Sequence, residues 1–188
     1  CAGNSCTISC SADMYFHADA TDATGEYPGE DWLASIEVSD QSGSIDIVTV
    51  PSGVELFSLH ALDVTSAITY GSLAVSSTTG AFNPTTTVQN LGNRPIDVNV
   101  EGTDLSDGSS SFIPAFEQLF ATTSFTYTGC VTCNSLSSTT PTALEVDLTK
   151  PTSSSTAVTD IVYWGIEIPY GVASNPHQGT NIFYAIGD

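Results

Sequence analysis

The chain has almost no positive charge. Arg94 and Lys150 are its only Arg and Lys, set against 21 Asp and Glu, for a formal net charge of −19. Such a surface repels phosphates and anionic lipid headgroups, so no nucleic-acid partner is expected. No apolar run reaches the roughly 18 residues that span a bilayer, so no transmembrane segment is expected. A cleavable leader is also missing, and a chain opening on Cys1 reads as a mature or trimmed product. No segment sustains a 3.6-residue apolar period, which argues against a helical fold. Catalytic signatures are missing too: there is no G-x-S-x-G, no H-E-x-x-H and no D-x-D-x-D-G. His17, His60 and His177 lie far apart in the sequence. Pairs of carboxylates are always findable among so many acids and mean little. No enzyme is expected, and an enzyme of unknown type is the last of the alternatives.

What is present suits β-structure. Of 188 residues, 40% are hydrophobic and 12% charged, and Ser and Thr carry most of the remaining polarity. That length allows one large β domain or two small ones with a real core. The acidity keeps a strand-rich surface soluble and discourages edge-to-edge pairing. Halophilic adaptation would give the same charge, and so would attraction of cations, with calcium the natural candidate outside cells.

Five cysteines in so acidic a chain point to an oxidising compartment. Cys1 and Cys6 bracket a stretch able to turn, and Cys130 and Cys133 bracket Val131-Thr132. These are the two expected bridges. Cys6 and Cys10 on a straight strand would stand ~13 Å apart, too far to bond. Cys10 is left over, buried and free or paired with a residue upstream. Two alternatives stay open: a zinc site of Cys6, Cys10, Cys130 and Cys133, and a lipidated Cys1.

Glycines and prolines cut the chain into short runs with strand-like alternation. Expected strands cover Cys6–His17 loosely, Asp31–Ser39, Ile45–Val50, Val54–Leu62, Ala67–Val75, Thr85–Gln89, Ile96–Val100, Phe120–Thr128, Leu144–Leu148, Ile161–Ile168 and Asn181–Ile186. Ala115–Ala121 is the one expected helical turn. The spacing predicts an all-β fold, an Ig-like or jelly-roll β-sandwich, in two packed modules. Residues 1–66 form an incomplete Ig-like module of about four strands, too few to bury both faces of a sandwich. Residues 67–188 form a complete sandwich.

Val88–Leu105 (VQNLGNRPIDVNVEGTDL) carries the most information: Thr85–Gln89 and Ile96–Val100 read as neighbouring strands joined by the Asn90–Pro95 connection, where Gly92 and Asn93 tolerate positive φ. With Ser124–Cys133 (SFTYTGCVTC), Val146–Pro151 (VDLTKP), Val162–Pro169 (VYWGIEIP) and His177–Phe183 (HQGTNIF), it resembles uncharacterised surface proteins of candidate-phyla (Parcubacteria-like) bacteria. The acidic DATD loop, Trp32, IEVSD and VELFSLHALDV resemble the later strands of a bacterial Ig-like domain. The resemblance implies an extracellular, surface-associated β-sandwich and no chemistry. The organisation is similar, more loosely, to fibre subunits of the TasA/camelysin kind, which exchange strands.

Candidate sites follow. Asp19, Asp22, Glu26, Glu30 and Asp31 crowd one loop and could supply oxygens to calcium, with a solvated acidic loop as the simpler reading. Tyr163, Trp164, Tyr170, Phe183 and Tyr184 cluster late and would form a sugar platform if exposed, although alternation sends about half inward. Trp32 sits where an Ig core tryptophan does and is expected to be buried. The Ser/Thr-rich loops are candidates for O-linked sugar.

The leading expectation is a non-catalytic, self-assembling surface or filament subunit. A strand donated by a neighbour, from Cys1–Met14 with Thr7, Ile8 and Met14 as its strand-like residues, would complete the first module. An adhesin or carbohydrate-binding module with a glycan partner is the alternative.

Overall fold

The computed structural model describes residues 9–65 and 67–188. The protein is almost entirely β, built from antiparallel sheets, with one 3-10 turn at Ala115–Glu117. In chain order the strands are β1 (Ser35–Ser39), β2 (Ile45–Thr49), β3 (Leu62–Val64), β4 (Thr85–Asn90), β5 (Ile96–Gly102) and β6 (Leu105–Ser106). They continue with β7 (Phe112–Ile113), β8 (Gln118–Ala121), β9 (Asn134–Ser135), β10 (Thr142–Leu148), β11 (Val158–Ile166) and β12 (Asn181–Gly187).

Two sheets face each other. One has the order β3-β4-β11-β8-β9 and the other β10-β5-β12. Their inner faces follow from alternation. Val88, Phe120, Val162 and Trp164 come from the first sheet; Ile96, Val98, Val100, Leu144, Val146 and Leu148 come from the second. All are buried, as two stacked sheets require. Trp164 satisfies its one donor inside this core: Nε1 donates to Thr86 Oγ1 at 3.0 Å.

β10 carries a bulge between Leu144 and Leu148, where Asp147 takes φ 45°. The buried Asp97 occupies the bulge: its Oδ1 accepts from Val146 N–H (3.1 Å) and Asp147 N–H (3.0 Å). These are amides that the broken ladder leaves without strand partners.

The expected strands at Ile45–Val50, Thr85–Gln89, Ile96–Val100, Leu144–Leu148, Ile161–Ile168 and Asn181–Ile186 all have counterparts. Other segments differ. Ala67–Val75 forms no ladder, yet Ile68, Tyr70 and Leu73 pack onto the core as an irregular strap. Phe120–Thr128 stops at Ala121 and turns. The Ala115–Ala121 helical turn lasts three residues before β8 begins. The sandwich also reaches back across residue 66. β3 pairs with β4 (Leu62 opposite Asn90, Val64 opposite Val88) and forms the edge of the five-stranded sheet.

The Asn90–Pro95 connection explains why. Neither Gly92 nor Asn93 uses the positive φ that both residue types tolerate. Gly92 is required instead by close approach, since a Cβ there would stand 2.1 Å from the Leu59 carbonyl oxygen. The buried Asn93 carboxamide replaces a strand neighbour. Its Oδ1 accepts from Leu59 N–H (2.7 Å) and its Nδ2 donates to the Phe57 carbonyl (3.0 Å). Asn90 clamps the other side, donating from Nδ2 to the carbonyls of Arg94 (2.8 Å) and Thr149 (3.1 Å) and accepting from Gly92 N–H.

Candidate functional site

The two sheets bury their inner faces against each other, but the hairpin of β1 and β2 is not covered. Every residue from Glu30 to Val50 is exposed. Pairing is antiparallel, with Ile36 opposite Val48 and Val38 opposite Asp46. Alternation therefore puts Trp32, Ala34, Ile36 and Val38 on one face beside Val48 and Val50. Ser35, Glu37 and Ser39 share the other face with Ile45, Ile47 and Thr49. The apolar row is the one its sequence pattern predicts, yet Trp32, Ile36 and Val38 are 40%, 42% and 45% exposed. Trp32 is thus a correction. It is not a core residue, because no second sheet lies over it, and its Nε1 donates to the Asp19 carbonyl at 2.9 Å. Trp32 bridges to Val54, and Val50 N–H donates to Ala34, so one long edge of β1 and its extension has no partner among the described residues.

A second uncovered segment lies nearby in sequence. Ser9–Phe16 is exposed, with Met14 at 51%, and joins no sheet of the described residues. It ends in a turn closed by Ala18 N–H donating to the Tyr15 carbonyl. Of the donor-strand residues named from sequence, Met14 lies here, while Thr7 and Ile8 fall outside the described residues.

The acidic loop does not bring all five of its carboxylates together. Lys150 holds Asp19 and also Glu26 (3.1 Å), so the single lysine ties this loop to the sandwich. Asp22 is engaged by Ser58, accepting from its N–H (3.0 Å) and hydroxyl (2.8 Å). These bonds, first that of the Ser58 amide, hold its pKa below the usual carboxylate range. Glu30 and Asp31 line a cleft of about 200 Å³ with Asp19, Tyr27 and Trp32. Among the described residues, the three-acid group that does converge is Asp97, Asp147 and Asp188, whose carboxylate oxygens lie within 4.8 Å of one another. Sequence reasoning missed it because the bulge that joins Asp97 to Asp147 has no local signal.

Cys130 and Cys133 form a disulfide, so the four-cysteine zinc arrangement is overturned. Cys1 and Cys6 fall outside the described residues. Cys10 is exposed, not buried, with a free thiol. The late aromatic cluster divides by alternation. Trp164 is fully buried and Phe183 packs against it, while Tyr170 is exposed, so no continuous row forms. A groove of about 660 Å³ opens elsewhere, beside exposed Phe116, lined by Asp104, Ser135, Ser137, Ser138 and Thr139.

One histidine meets a serine. His177 Nε2 lies 3.1 Å from Ser111 Oγ and Nδ1 lies 2.7 Å from the Asn175 carbonyl. Ser111 Oγ also accepts from Ala173 N–H at 2.9 Å, and Asp107 accepts from the amides of Ser109 and Ser111. The arrangement staples the β6–β7 turn to the Tyr170–Gln178 loop.

Comparisons with family models, with curated proteins and with solved structures return no match. Among the described residues no helix is long and apolar enough to cross a membrane.

Proposed function

We propose that the protein is a non-catalytic, extracellular structural subunit that assembles with copies of itself into a surface filament by β-strand donation. The observation that carries this reading is the uncovered β1–β2 hairpin. A two-stranded hairpin is marginal in water, and large exposed apolar faces mark interaction sites. Here the hairpin stands outside the two sheets that share the buried core. Added strands give main-chain hydrogen bonds, and head-to-tail addition does not close on itself. The Cys130–Cys133 disulfide is what an oxidising compartment would maintain. Electron microscopy with light scattering over a range of salt and calcium tests it. Fibres or open-ended oligomers are expected, and a monodisperse monomer under every condition would sink the reading.

A glycan-binding module is the second reading, favoured by the hydroxyl-lined groove beside Phe116. An aromatic face with nearby hydroxyls and a carboxylate suits a sugar ring. A glycan array without hits removes it.

A further inference from the structure

We propose that the free edge of β1 receives residues 9–16 of a second copy of this chain. The incoming strand is antiparallel, in the register that sets Met14 opposite Ala34 and Ala12 opposite Ile36. This rests on the self-assembly reading above and names its donor, its acceptor and their alignment.

Neither element has a strand partner on this side among the described residues, and both alternate. On an extended Ser9–Phe16, Cys10, Ala12, Met14 and Phe16 share one face and Ser9, Ser11, Asp13 and Tyr15 the other. β1 and its extension present Trp32, Ala34, Ile36 and Val38 on one face and Leu33, Ser35, Glu37 and Ser39 on the other. In the proposed register the apolar pairs are Phe16–Trp32, Met14–Ala34, Ala12–Ile36 and Cys10–Val38, so at the two central pairs a large side chain meets a small one. On the polar face Asp13 meets Ser35 and Ser11 meets Glu37. Each carboxylate thus faces a hydroxyl.

Neighbouring alignments are worse. A slip of two residues one way sets Asp13 opposite Glu37, and like charges directly opposite are unfavourable. A slip of two the other way sets Phe16 opposite Glu30. The β2 edge is a poorer acceptor, because Asp46 interrupts its apolar row between the turn and Val48.

The backbone agrees with the β1 edge. Trp32 and Ala34 bond inward, to Val54 and Val50. The intervening residues Leu33, Ser35 and Glu37 therefore turn their N–H and C=O groups outward. In the proposed register these groups meet Asp13 and Ser11. A second copy is the occupant because this chain's own Ser9–Met14 makes no backbone hydrogen bond with the described residues while its own β1 edge is unpaired. The charge of −19 on each copy opposes association, so added salt should strengthen it.

The test uses three variants of the full chain, followed by light scattering and amide exchange at about 0.5 M NaCl, a concentration that shortens the screening length to a few ångströms. Ser11→Pro removes a donor amide aimed at the acceptor. Ile36→Asp puts a charge in the acceptor row, with Ala34→Asp as a second acceptor variant. All three positions are exposed. Each variant alone should associate at least tenfold more weakly than the parent, and Ser11→Pro mixed with Ile36→Asp should recover a 1:1 heterodimer. Variants that assemble as the parent does overturn this joint and leave the subunit reading standing. A parent that stays monomeric at about 0.5 M NaCl overturns this joint, and one that stays monomeric at every salt and calcium concentration overturns both. A monomeric parent whose residues 9–16 are protected from exchange, with the protection lost on Ile36→Asp, shows pairing with its own hairpin and overturns the second copy.

Discussion

A Cβ on Gly92 would lie 2.1 Å from the carbonyl oxygen of Leu59, so these two backbones touch where residues before position 66 join the sandwich. Gly92→Ala should therefore destabilise by steric displacement, about 1–3 kcal/mol, as overpacking typically does. Urea titration reads the change. Because φ at Gly92 is not positive, Asn and Asp should fare no better than Ala there, which separates close approach from backbone strain.

Asn93→Ala should leave the Leu59 amide and the Phe57 carbonyl without partners, costing about 1–3 kcal/mol for a buried unsatisfied group. Amide exchange at Leu59 should accelerate more than exchange in β11, because the loss is confined to the junction.

Trp164→Ala empties the centre of the core and should cost about 3–5 kcal/mol. Trp164→Phe should cost less, retaining the contact with Phe120 but leaving Thr86 Oγ1 without its donor.

Much of the sandwich is legible in the sequence, and the reason is physical. β4, β5, β10 and β11 are buried on one face and β12 is half-buried on one, and burial on one face writes a period of two. Ala67–Val75 has the same period but only straps the core, because Ala67 and Gly71 take positive φ and interrupt extension. The pattern of Trp32–Val38 was equally readable, but its burial was not: periodicity shows that a face is apolar and says nothing about what covers it. The candidate calcium loop illustrates the other limit. Five acids close in sequence divide among Lys150, Ser58 and the cleft beside Trp32, and among the described residues the three that converge are Asp97, Asp147 and Asp188, not neighbours in sequence.

Stability should depend on pH in two opposing ways. Asp22, Asp40 and Asp107 are held below the ordinary carboxylate range, chiefly by bonds from the Ser58 amide, the Ser42 hydroxyl and the Ser109 amide respectively. A depressed folded pKa contributes stability above the unfolded value near 3.8, lost as pH falls through the folded value. Glu117 is shifted upward, first by burial and then by Glu167 facing it. Its contribution has the other sign: stability is present below the unfolded value and is lost as pH rises through the folded one. Melting temperature should thus fall below about pH 4. Glu117→Gln should raise it at pH 7 and leave it unchanged at pH 3.

Reducing the Cys130–Cys133 bridge should cost about 2 kcal/mol or less, since it closes a loop of only four residues. Near-ultraviolet circular dichroism of Trp164 should survive reduction, because the bridge lies outside the core.

The two cations have one more consequence. Lys150 is held by acidic side chains and the Arg94 carbonyl is held by Asn90, and each residue is followed directly by proline, Pro151 and Pro95. Proline supplies no amide hydrogen and constrains the residue before it, which makes such bonds poor substrates for proteases that cut after lysine or arginine. Folded or unfolded, the chain should pass through a trypsin-rich environment uncut.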